Sequence, residues 1–251
     1  MWKNIIFLII SSYISPNFSL FIVFYLYHYF RKIDFKDLLG LLFFCFISSL
    51  PAFYYIFVLD INFLAAGTPG IDSKSSIGLS FNLSDKILII SSILFFHLFP
   101  FLLNREFILD FIRPTKKSFL FISIFFIINV FFFNYSINFT GGGVFFHLSN
   151  FFFDDNYFFY LISFISLMLL INFSKSSINN FLVFFLLIIS NIQNTIYHKY
   201  YDPLIMILFF TLINNPLNYK FFENKNKIYY IYSFYLIFIF MRIIKNNYFS
   251  L

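Results

Sequence analysis

Residues 87–103 read ILIISSILFFHLFPFLL. No Lys, Arg, Asp or Glu interrupts this run, which Asp85 and Lys86 precede and Arg105 and Glu106 follow. A helix that crosses a bilayer needs about 20 mainly apolar residues, because about 30 Å of hydrocarbon must be covered at 1.5 Å per residue. Runs of the same kind recur along the chain. They cover Ile5 to Phe30, interrupted at Ser15-Pro16-Asn17, then Leu38–Leu59, Ser118–Phe133, Tyr157–Phe173, Phe181–Thr195, Pro203–Ile213 and Ile228–Ile244. With 87–103 they predict an all-α, polytopic transmembrane helical bundle of about eight spans. Pro16 removes a backbone donor and its ring clashes with the preceding turn, so the first run is expected to kink or break there. The runs beginning at Phe181 and Pro203 are short, and are read as tilted, re-entrant or broken helices.

Composition leads to the same class. Of 251 residues, 61% are hydrophobic and 11% are charged, and mean hydropathy is +0.84. A soluble domain has about 25% charged residues, needed to clothe its exterior in polar groups. Phe alone supplies 47 residues, and Ile, Asn, Tyr, Lys and Ser are also abundant. These residues share A/T-rich codons, which points to an A/T-rich genome, of a streamlined bacterium or an organelle, rather than to a role for the rings. Cys45, the one cysteine, has no partner for an internal disulfide, and metal binding by a cysteine cluster is excluded. No cleavable signal peptide, internal repeat or soluble domain stands out, so residues 1–251 read as a single integral membrane domain.

The formal net charge is +6. The basic residues lie between apolar runs, where they orient spans in a bilayer rather than bind nucleic acid. If spans alternate from the loop at 31–37, eleven of the 17 Lys and Arg fall on one side, among them Arg31, Lys32, Lys36, Arg113, Lys116 and Lys117. Six fall on the other side. The positive-inside rule assigns the eleven to the cytoplasm and both termini to the outside.

Three outer-side loops carry most of the polar chemistry. The first, Asn62 to Asp85, holds Gly67, Pro69, Gly70 and Asp72. It reads either as a binding loop or as a solvated connector, with Asp72 its candidate base or substrate ligand. The second, Asn134 to Asn156, contains Gly141-Gly142-Gly143, whose backbone amides are candidates to approach a phosphate. No P-loop pattern follows the triplet, and the competing reading is a turn into a short interfacial helix. Asp154-Asp155 reads as capping and first-turn charge for the next helix, or as oxygen ligands for a divalent cation. The third loop, QNTIYHKYYD at 193–202, gathers His198, Lys199, Tyr200 and Asp202 as candidate substrate-binding groups. Tyr residues of an interfacial belt explain the same stretch. His28 and His97 lie near span ends and read as interfacial or packed. No metal site, cofactor motif, catalytic triad, HExxH or GxGxxG is seen.

Taken in order, LPAFYYIFVLD (50–60), GIDSKSSIGLSFNLSD (70–85) and IYHKYYDPLIMI (196–207) resemble the later membrane helices of the GT-C glycosyltransferase superfamily. The nearest likeness is to the dolichyl-phosphate-glucose α-1,2-glucosyltransferase family and related bacterial membrane proteins. The resemblance implies transfer of a sugar from a polyprenyl-phosphate donor on the outer or lumenal face. It spans the second half of a usual family member, so the acidic loop that activates the acceptor in that family is expected on a truncated segment or on another chain. The implied partners are the lipid bilayer and a polyprenyl-phosphate sugar. The implied location is the bacterial inner membrane, with an organelle membrane as the alternative. Two further readings come from the composition and the broken spans: a non-catalytic subunit joined to a partner membrane chain, and a transporter or flippase piece.

Overall fold

The computed structural model describes residues 2–14, 18–30, 32–54, 58, 82–102, 116–137, 141–191, 195–198, 201, 204, 205, 208 and 225–248. These residues form helices and connecting turns, with no β-strand among them. The helices are α1 (Trp2–Ile14), α2 (Phe21–Phe30), α3 (Phe35–Phe53), α4 (Leu83–Leu102), α5 (Lys116–Phe131), α6 (Gly143–Phe153), α7 (Tyr157–Ser176), α8 (Ile178–Ile189) and α9 (Lys225–Tyr248). Three are long and apolar enough to cross a membrane: α3, and the stretches Leu83–Pro100 of α4 and Tyr157–Ser174 of α7. Together with the composition, they mark the chain as a membrane protein.

The first apolar run is two helices, α1 and α2, as Pro16 predicts. The run expected at Pro203–Ile213 lies almost wholly outside the described residues.

The three long helices differ sharply in their surroundings. Of the apolar window, 78% is buried in α4, 50% in α7 and 6% in α3. Thus α4 is the axis of the bundle, and α3 turns an apolar surface outward. The α4–α7 interface is built from small side chains. Ser91, Ser92, Ser163 and Ser166 are all buried, which lets the two backbones approach closely. The Ser163 hydroxyl donates to the Leu88 carbonyl at 3.1 Å, and the Ser166 hydroxyl donates to the Ser91 carbonyl. A step of three residues on one helix matches a step of three on the other, so α4 and α7 run parallel.

The helix between them in sequence, α5, runs the opposite way. The Asn134 amide, just past its end, donates to Asp85 Oδ1 at 2.8 Å, at the start of α4. Asn82 Nδ2 holds the other carboxylate oxygen at 2.8 Å. At the far end, α8 doubles back on α7. Ser177 caps it by accepting from the Asn179 amide at 3.2 Å, and Asn180 Nδ2 donates to the Phe173 carbonyl at 3.0 Å. Around this centre, α9 touches α4, α2 packs on α1 and α8, and α1 rests on α3. The last contact includes an edge-on pair between Trp2 and Phe44.

Two helices stop short. α6 has 11 residues and α8 has 12, which gives lengths of about 17 and 18 Å against a hydrocarbon layer of about 30 Å. Their ends create the site described next.

Candidate functional site

The stretch from Asn134 to Asn156, expected as an outer loop, dives into the bundle and returns. It starts at Asp85, at the mouth of α4. By Gly143 it has reached the middle of α4: a Cβ built there would lie 3.0 Å from Ile93 Cγ1 and 3.8 Å from Ser92 Oγ. Phe145 then packs on Phe95 and Phe96, with ring centroids 5.9 and 6.2 Å apart. From there α6 climbs back to the beginning of α7. The Ser149 hydroxyl donates to the Asp155 carbonyl at 2.7 Å and accepts from the Phe159 amide at 3.1 Å. This segment enters the helical bundle and turns back. Irregular backbone at such depth persists only where protein or water satisfies its polar groups, and here protein does so.

The partner is the segment after α8. That helix ends at Ile189, and the chain continues through Thr195 and Ile196, both buried. The Gly142 amide donates to the Ile196 carbonyl at 2.9 Å. The Ile196 amide donates to the Tyr135 hydroxyl at 3.1 Å. His147 Nε2 donates to the Gly141 carbonyl at 2.7 Å, which ties the turn to its own helix. Burial pushes the Tyr135 phenol above the usual tyrosine range, so it stays neutral in this contact.

Gly141 and Gly142 are needed here for different reasons. A Cβ on Gly141 would come within 2.7 Å of both the Ile196 carbonyl oxygen and the Tyr135 hydroxyl. Gly142 has φ +111° and precedes the first turn of α6, a backbone setting that L side chains rarely adopt. The triplet, read as a candidate to approach a phosphate, lies at a close backbone crossing, where the Gly142 amide donates to the Ile196 carbonyl.

Immediately beyond Ile196, His198 reaches α4 and α9. Its ring lies 5.0 Å, centroid to centroid, from that of His97 and also 5.0 Å from that of Phe96. His97 is buried, and its Nδ1 shares a hydrogen bond of 2.7 Å with the Tyr235 hydroxyl of α9. Phe234 and Phe238, also on α9, close over Phe96. Tyr201 is fully buried beside the side chains of Ser190 and Asn191. Its phenol is raised by burial, against the lowering effect of those two neighbours.

The structure therefore brings together Gly141, Gly142, Gly143 and His198 from the sequence-derived candidates, and adds His97, Tyr135, Tyr201 and Tyr235. Of the other candidates, Asp72, Lys199, Tyr200 and Asp202 lie outside the described residues. His97, read as interfacial or packed near a span end, is an interior residue with named partners. Its signal in the sequence was an ionisable side chain inside an otherwise uncharged span, which marks a functional position by default. His28 is exposed, with its ring stacked over that of Phe24. Asp155 lies one residue before Asn156, the N-cap of α7; its Oδ1 accepts from the Tyr157 amide at 2.9 Å, but the helix's first turn holds no acidic residue, contrary to expectation. Asp154 closes α6 with φ 53°. Among the described residues, no three His, Cys, Asp or Glu side chains gather as a metal site.

No model of a known protein family, no curated protein and no solved structure matches the chain.

Proposed function

We propose that this chain is a polytopic membrane protein of about eight spans, some of them broken. In this reading it works as a GT-C-like glycosyltransferase, or as the C-terminal part of one. It moves a sugar from a polyprenyl-phosphate donor on the outer face of a bacterial inner membrane. The observation that carries the reading is the meeting of the Gly141–Gly143 turn with the Thr195–His198 segment. Two stretches singled out in the sequence for their polar groups converge in one place, at the ends of two short helices. A sugar phosphate needs such a setting: a few placed hydroxyl, amide and imidazole groups inside an otherwise apolar wall. Lys199, next to His198 in sequence, supplies the cation this substrate calls for.

Half-length helices that end near the middle of a bundle also favour a second reading, a carrier or flippase for a similar lipid-linked cargo. One experiment separates the two. Purified protein is placed in proteoliposomes with a radiolabelled polyprenyl-phosphate sugar, with and without glycan acceptors. Transfer of label to an acceptor, reduced about 10- to 100-fold in Lys199→Ala, supports the transferase, on the scale of losing one charge-assisted contact in the transition state. Movement of intact donor between leaflets without transfer supports the carrier and refutes the transferase.

A further inference from the structure

The His97–His198 pair stands apart from its surroundings. Both nitrogens of His198 and Nε2 of His97 are shielded from solvent, in a chain whose core is otherwise built largely of Leu, Ile and Phe. Phe96, Phe234 and Phe238 wrap the two rings. A phenylalanine would satisfy this aromatic packing without the desolvation cost of an imidazole. Two imidazoles in contact, one of them oriented by a tyrosine, have a capacity that phenylalanine lacks: they take up and share a proton at near-neutral pH.

We propose that His97 and His198 form a single proton-binding site inside the bundle, oriented by Tyr235, and that its charge governs how the segment after α8 seats on α4. The argument is geometric. With ring centroids 5.0 Å apart, a proton on one ring opposes a proton on the other, because two would place like charges in contact within an apolar wall. The two rings and the Tyr235 hydroxyl of α9 are titratable groups that meet in this contact. Phe96 of α4 and Phe234 and Phe238 of α9 complete the wall. The binding step is simple: a proton leaves hydronium in water and joins a ring nitrogen of the pair, and no other bond changes. His198 lies two residues beyond Ile196, whose carbonyl holds Gly142. Charging the pair therefore acts on the contact that joins α6 to the segment after α8. The inference concerns proton binding alone, and stands whether the junction serves a transferase or a carrier.

The test is solid-state 15N spectroscopy of protein selectively labelled at histidine, in lipid, from pH 4 to 9. The chain has four histidines, so each imidazole signal can be assigned by single substitution. The expected result is that His97 and His198 titrate as a coupled pair. Replacing either one, as His97→Gln or His198→Phe, then moves the protonation midpoint of the other by more than about one pH unit. Tyr235→Phe, which removes one hydroxyl and keeps the ring, shifts the His97 signal and keeps the measurement open should a histidine variant fail to fold. Independent titration of the two rings, unchanged by loss of the partner, overturns the proposal, as does failure of both rings to take up a proton across the range. No sugar donor is present, so a negative result in the transfer assay leaves this outcome unaffected.

Discussion

Gly141→Ala is the sharpest test of the segment that enters the bundle and turns back. The added methyl would meet the Ile196 carbonyl oxygen and the Tyr135 hydroxyl at 2.7 Å, and the Ile196 amide nitrogen at 2.8 Å. Two of these three obstacles are backbone atoms, which cannot swing aside as a flexible side chain would. Relief requires the two segments to part, and that strains or breaks the Gly142–Ile196 and Ile196–Tyr135 hydrogen bonds. Overpacking in a filled interior costs about 1–3 kcal/mol, and each buried hydrogen bond left unmade adds about 1–3 kcal/mol. The expected loss is about 2–5 kcal/mol after partial relaxation, a large share of a total stability of about 5–15 kcal/mol. Gly40→Ala is the matched control. It sits inside α3 with nothing within 4 Å of a built Cβ, so alanine is expected to stabilise by about 0.5–1 kcal/mol through helix propensity. Reversible unfolding in mixed micelles, followed by circular dichroism, measures both. If Gly141→Ala unfolds within about 0.5 kcal/mol of the parent, the scale of a neutral surface change, the close crossing is not what joins these segments.

Two further predictions concern the ends of the bundle. The antiparallel α4–α5 pair puts Lys117 and Asn134 at opposite ends, about 24 Å apart along a helix of 16 residues. In a Cys45→Ser background, a cysteine at exposed Asp154 should react with an impermeant maleimide in intact cells, and one at exposed Lys117 only after permeabilisation. Labelling of both sites in intact cells would break the assigned topology. Asp85→Ala removes the acceptor for the Asn134 amide and the Asn82 side chain. A loss of about 2–3 kcal/mol is expected, because the Asn134 amide is left without its acceptor in a partly buried setting. Asp85→Asn, which keeps one acceptor oxygen, should recover part of it, and equal losses for the two variants would argue against this role.

By itself, the sequence determined the class of the protein and most of its helices. Apolar runs long enough for a bilayer are a local property, set by composition and length, and 87–103 and 157–173 need no partner to be recognised. The division of the first run into α1 and α2 was legible for the same reason, since a proline's missing amide and ring clash act within one turn. The brevity of the run from Phe181 set it apart as tilted, re-entrant or broken, but did not show what it would meet.

Depth and pairing belonged to the tertiary structure. Gly141 to Gly143 look the same in sequence whether they line a surface loop or a crossing in the bundle interior. Only the approach of Ile196, more than 50 residues away, distinguishes the two. The serines of α4 and α7 became an interface only when the helices were seen to run parallel with matching steps. His97, His198 and Tyr235 lie on three separate stretches of the chain, and no local pattern links them. Hydropathy reports how far each residue prefers lipid to water, a property it carries alone. A polar site inside a bundle depends on which backbones pack together, and that is decided by contacts between residues far apart in the chain.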